Sequence, residues 1–183
     1  MKSLVFISAF LLACFTNKGQ AQAPSAEKLL SIAYKQAKKE NKNVFILFHA
    51  SWCGWCHRMD ASMNDSTVAK YFTDNYVIIH LTVEESSNNK NMENEGGYAL
   101  KTKYHGATSG LPFWLIMDKK RNLLADSQVR TAGTPLTAAG SNIGCPAGKN
   151  EVQFFTDMLR KTSRMDDKAL ARISEVFSKN IIR

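Results

Sequence analysis

Asn43-Val44-Phe45-Ile46-Leu47-Phe48-His49-Ala50-Ser51-Trp52-Cys53-Gly54-Trp55-Cys56 is the stretch that decides how this chain folds. Val44 to Phe48 is a continuous apolar run of strand length, which suits a central strand covered on both faces. Two cysteines follow at once, separated by two residues, where the chain must leave the strand. Their spacing fits the first turn of a helix, close enough for the sulfurs to close a small ring. A thiol at that position meets the unpaired N–H groups and the positive end of the helix dipole. Both favour the thiolate, which is the nucleophile.

The flanks extend this pattern. Ser25 to Lys42 reads as an amphipathic helix capped by Ser25, with Leu29, Leu30, Ala33 and Ala37 on one face. Asn64-Asp65-Ser66 ends the helix that the cysteines open, and a further helix runs from about Thr67 to Asn75. Tyr76 to Val83 is a second strand and Glu84 to Gly97 a polar loop. Tyr98 to Tyr104 is helical, and Phe113 to Met117 and Leu123 to Gln128 form a hairpin about the polar turn Asp118 to Asn122. Thr131 to Lys149 reads as loop, Asn150 to Lys161 as a helix and Asp166 to Lys179 as a last helix. Strands joined through helices are expected to run parallel by right-handed crossovers. This order predicts an α/β fold, a mixed sheet with helices on both faces.

Composition bounds the function classes. The chain has 183 residues, 44% hydrophobic and 22% charged, enough for one domain with a full core. The net charge is +8, but the lysines scatter over helix-like stretches such as Lys35, Lys38, Lys39 and Lys42. No aromatic-interleaved basic stripe accompanies them, so nucleic acid is not an expected partner. Residues 1–21 read as a signal peptide: Lys2, the apolar run Leu4 to Ala13, and a small-residue cleavage site ending at Ala21. Leu11-Leu12-Ala13-Cys14 offers a second reading, a lipobox with Cys14 as the lipidated residue, which is the only expected route to a membrane. Both readings export residues 25–183 as one domain.

Four cysteines are present, Cys14, Cys53, Cys56 and Cys145. Without Cys14 they make one close pair and an odd thiol, Cys145, expected to be buried. Taken alone, C-x-x-C also fits half of a zinc site, but no second C-x-x-C or H-x-x-x-H exists. Cys53-Gly54-Trp55-Cys56-His57 further satisfies the c-type haem attachment pattern, which a Soret band would reveal. The strand just before the pair favours redox chemistry, without metal or cofactor.

Trp52-Cys53-Gly54-Trp55-Cys56 after the apolar strand, with Lys103-Tyr104 and Gly110-Leu111-Pro112-Phe113 downstream, resembles the thioredoxin superfamily over about residues 25–161. The break at Asn64 and the run Val68 to Val77 look most like its exported single-domain branch. The resemblance implies a three-layer α/β/α sandwich with a mixed four- to five-stranded central sheet, here with an extra C-terminal helix. It implies a redox-active Cys53–Cys56 disulfide in which Cys53 attacks and Cys56 resolves. It implies a cis peptide at Pro112, packed against the dithiol, with the Leu111 backbone pairing an extended substrate segment. Trp52, Gly54 and Trp55 would support the same surface. The implied activity is a protein thiol–disulfide oxidoreductase, a reductase or isomerase rather than a strong oxidant. Its partners would be disulfide-containing client proteins and a thiol–disulfide electron donor.

Two positions depart from the family. Its buried acid, six residues before the first cysteine, is Leu47, and the lysine that faces it corresponds to His80. Glu84, Asp60 or a histidine would then have to take the proton of the resolving thiol. His49 and His80 otherwise read as strand packing and His57 as an exposed first-turn residue. A binding or chaperone module that uses the groove beside Pro112 without turnover is the competing class.

Overall fold

A computed structural model describes residues 22–181. The leader reading, the Ala21 cleavage site and the Cys14 lipobox lie outside those residues.

Helix α1 spans Ala26–Glu40 and strand β1 Asn43–His49. Helix α2 spans Gly54–Met63, α3 Ala69–Asn75 and strand β2 Tyr76–Thr82. After a loop with a short 3-10 turn come α4, Gly97–Lys103, and β3, Phe113–Met117. Then follow β4, Leu123–Asp126, β5, Gln128–Val129, and β6, Ser141–Asn142. The chain closes with α5, Lys149–Thr162, and α6, Asp167–Phe177. Ser25 caps α1 through a bond from the Lys28 N–H, and Asp166 caps α6 through one from Ala169.

The main sheet has the order β2-β1-β3-β4, so the apolar run of β1 is central, as its composition requires. Every residue from Val44 to Phe48 is buried. Alternation sends Val44, Ile46 and Phe48 to one face and Phe45 and Leu47 to the other. The first face packs under α1, with Leu30, Ala33 and Ala37, and takes Leu100 and Tyr104 from α4 and its end. The second packs under α2, α3, α5 and α6, around Phe72, Trp114, Phe155 and Phe177. The Phe155 and Phe177 rings meet at 4.9 Å, and Phe45 meets Tyr76 edge-on at 5.7 Å.

Two expectations need correction. Strand β1 pairs β2 in parallel, but β3 runs antiparallel to β1 although a helix precedes it. The reason is length. Seven-residue α4 rises only about 10 Å, whereas a seven-residue strand spans about 23 Å. The chain therefore never returns to the far end of the sheet, and β3 starts where β2 finished. Phe113 accordingly pairs Phe48, at the end of β1 that leads into the cysteines.

The strand expected to run to Gln128 instead stops at Asp126. Buried Ser127 donates its N–H to Trp114 and accepts from Ile143, turning the chain into a separate β5–β6 ribbon. Asp126 holds that turn: it accepts from Gln128 N–H at 3.0 Å and pairs with Arg130 at 2.6 Å. Strand β6 lies in the stretch read as plain loop. At two residues it is too short for alternation to signal it.

Candidate functional site

The carboxyl end of β1 leads directly into the cysteine pair. Cys53 donates its N–H to Ala50 O at 3.0 Å, which closes the turn and starts α2. Cys53 is itself the N-cap, and its Sγ accepts the Cys56 N–H at 3.1 Å. A sulfur stands where Ser or Asp usually caps, so any negative charge on it meets the helix N-terminus. The two sulfurs are joined as a disulfide, with Cα atoms 5.2 Å apart. Cys56 is fully buried and Cys53 nearly so, against Ala50 and Leu111. A Cβ at Gly54 would meet nothing within 4 Å, so the space above the pair is open.

Leu111–Pro112 is cis, as the sequence resemblance implied, and Leu111 packs against the pair. The β5–β6 ribbon braces this segment. Asn142 Nδ2 donates to Gly110 O at 2.9 Å and to Pro112 O at 3.2 Å. A cleft of about 290 Å³ separates Trp55 and Leu111 from Asn142, Ile143 and Gly144. Trp52 and Trp55 are 59% and 39% exposed, a large apolar area at the rim. Arg58 stacks over Trp55 at 5.1 Å, and Trp52 Nε1 donates to Glu84 O at 2.9 Å.

Two acidic residues at the head of the loop after β2 support the site. Buried Glu85 accepts from Ser51 N–H at 2.5 Å and from Ser51 Oγ at 2.7 Å, which fixes the turn before Trp52. Glu84 pairs with Lys101, whose ammonium also donates to Ser109 O, both at 2.6 Å. Lys101 is fully buried, so this pair ties the loop to the segment before Pro112. Glu85 and Lys101 carried no sequence signal, because each looks like an ordinary surface charge until the fold encloses it.

Asp60 lies on α2 one turn beyond Cys56. It accepts a bond from His80 Nε2 at 2.7 Å. His80 is thus not packed into the strand surface as expected; its side chain is partly open to solvent, as is that of Asp60. His80 stands beside Leu47 in the β1–β2 register, and the His49 ring meets it at 5.2 Å. Burial, with the neighbouring His80, pushes the His49 pKa below its usual 6.5. His57 is exposed, as expected, and donates to Ser51 O at 2.9 Å.

Cys145 is buried beside the cleft, and burial pushes its thiol up to about 12. It belongs to a clasp at the end of the chain. Asn180 Nδ2 contacts Cys145 Sγ at 3.5 Å and donates to Pro146 O and Ser62 Oγ, both at 3.1 Å. Arg58 on α2 donates to Asn180 O at 3.2 Å.

A family model described as thioredoxin-like matches residues 26–119, from the start of α1 past β3, and so includes both cysteines and Pro112. The chain belongs to the thioredoxin-like family. Among solved structures, a disulphide isomerase from Xylella fastidiosa Temecula1 is similar at 16% identity and TM-score 0.47, covering 93% of this chain and 98% of its own. A DsbH oxidoreductase matches at 18% identity and TM-score 0.41, over 87% and 95% of the two chains. The oxidised C-terminal domain of Neisseria meningitidis DsbD matches at 16% identity and TM-score 0.42, over 75% and 98%. In this thioredoxin-like chain no described helix is long and apolar enough to cross a membrane.

Proposed function

We propose that this protein is a thiol–disulfide oxidoreductase acting on protein disulfides in an exported compartment. One observation carries the reading: Cys53 caps α2 with its sulfur on the Cys56 N–H, against the cis Leu111–Pro112 segment. The Cys53 thiolate attacks a client disulfide and releases one client thiolate, forming a mixed disulfide. Cys56 then attacks Cys53 Sγ, the Cys53–client bond breaks, and the second client sulfur leaves. The client is reduced and the dithiol oxidised. A thiol–disulfide electron donor restores the dithiol.

The open space over Gly54 and the Trp52 and Trp55 faces receive the client chain, whose backbone pairs with Leu111. Trp55 places no charge between the cysteines, which favours a reductase or isomerase over a strong oxidant. Of the two carboxylates read as proton acceptors, Glu84 is held by the buried Lys101 ammonium, whereas Asp60 lies on α2 one turn beyond Cys56 and meets a histidine, so Asp60 carries that role. The signal-like residues 1–21 support export of residues 25–183, and lipidation at Cys14 would anchor the product to a membrane.

Insulin reduction by the wild type and by Cys53→Ser tests this reading. Turnover by the wild type and its loss in the variant are expected. An inactive wild type would leave only a client-binding module.

A further inference from the structure

We infer that Asp60 and His80, with His49 behind them, form the acid–base unit that takes the proton of Cys56 in the resolving step. The inference deepens the oxidoreductase reading and rests on it.

Cys56 is fully buried, so water does not reach its thiol directly. Leu47, which shares its core cluster with Met59 and Met63 of α2, is fully buried and unable to accept a proton. Yet the adjacent strand position in register is His80, and it reaches across to Asp60 at 2.7 Å. Asp60 follows Cys56 by four residues, hence on the same face of α2 and about 6 Å further along its axis. A base–acid pair therefore stands one turn from the thiol. Being partly open to solvent, it can pass a proton on to water.

Groups on every neighbouring element bear on His49. From β2 come His80 and the Thr82 hydroxyl, 3.2 Å from His49 Nε2. From α2 come Asp60 and His57, and from the loop after β2 comes Glu85. Burial, with His80 beside it, favours the neutral form of half-buried His49. In the step, the Cys56 S–H bond breaks and its proton passes to the Asp60 carboxylate, which keeps its bond to His80 Nε2. The sulfur electron pair forms the Cys53–Cys56 bond while the Cys53–client bond breaks onto the client thiolate.

The test follows the Trp52 and Trp55 fluorescence as reduced protein is oxidised by glutathione disulfide. Attack by Cys53 scales with glutathione disulfide concentration; resolution by Cys56 does not. In Asp60→Asn and His80→Gln, resolution at pH 7 is expected to slow about tenfold, the low end for a positioned general base. The deficit closes at high pH, where hydroxide deprotonates Cys56 unaided, and Asp60→Glu recovers part of the rate. A resolution profile that overlays the wild type, or a deficit that persists unchanged at high pH, overturns the assignment. Wild type that resolves glutathione but fails on insulin counts against the protein-disulfide reading alone, since the acid–base unit is read without insulin.

Discussion

Replacing Glu84 with alanine should destabilise the fold more than replacing its partner Lys101 with methionine. Lys101 is fully buried and its ammonium has two partners, Glu84 Oε1 and Ser109 O, each at 2.6 Å. Glu84→Ala strips the buried cation of its counter-charge, and one carbonyl remains. Breaking a buried pair in this way costs about 3–5 kcal/mol. The Glu84 side chain is 30% exposed, so water enters the vacated space and reduces this to about 2 kcal/mol. In a domain of this size that lowers Tm by about 4–8 °C. Lys101→Met keeps the buried stem as apolar volume and leaves a carboxylate that solvent can reach, at a cost below about 1.5 kcal/mol. The double variant should lie close to Lys101→Met rather than at the sum, because the orphaned charge is gone. Urea unfolding of the four proteins with the disulfide intact measures the cycle. A Glu84→Ala loss smaller than that of Lys101→Met, or additive losses, would refute the reasoning.

Two further outcomes follow from buried titratable groups. His49 has a folded pKa below its unfolded value. Above about pH 6.5 both states carry neutral imidazole and pH has no effect through this residue. As pH falls below that, the unfolded chain takes the proton first and stability drops; His49→Gln should flatten this part of the urea-midpoint profile between pH 7.5 and 5, and an unchanged profile would count against it. Cys145, with its thiol at about 12, should resist iodoacetamide at pH 8 in the oxidised native protein and react fully in urea, with rapid native labelling as the contrary result.

The cysteine pair was legible because an unbroken apolar strand and two cysteines at helix-start spacing fall within fourteen residues, and the Leu111-Pro112 segment follows downstream. Long elements were legible for the same reason, with α1, β1 and β3 placed to within two residues. Direction was less so. The antiparallel course of β3 depends on how far α4 carries the chain, and residue pattern does not encode reach. The β5–β6 ribbon escaped notice because two-residue strands have no periodicity. At the site, the family likeness marked Leu47 as a missing acid and left Glu84, Asp60 or a histidine as replacements, without a way to choose among them. The bond between Asp60 and His80 joins residues twenty apart on different elements, and it forms only once the β1–β2 register and the packing of α2 on the sheet are in place.

The clasp made by Asn180 couples the last described residues mechanically to the cysteine pair. Its side chain grips Ser62, and its carbonyl holds Arg58, both on the helix whose first turn carries Cys56. Arg58 in turn lies over Trp55, between the two thiols in sequence. Pulling on the last described residues therefore loads α2 from its flank. A fusion partner attached there acts as a lever on the dithiol, whereas one attached ahead of α1 pulls on a helix across the sheet from it.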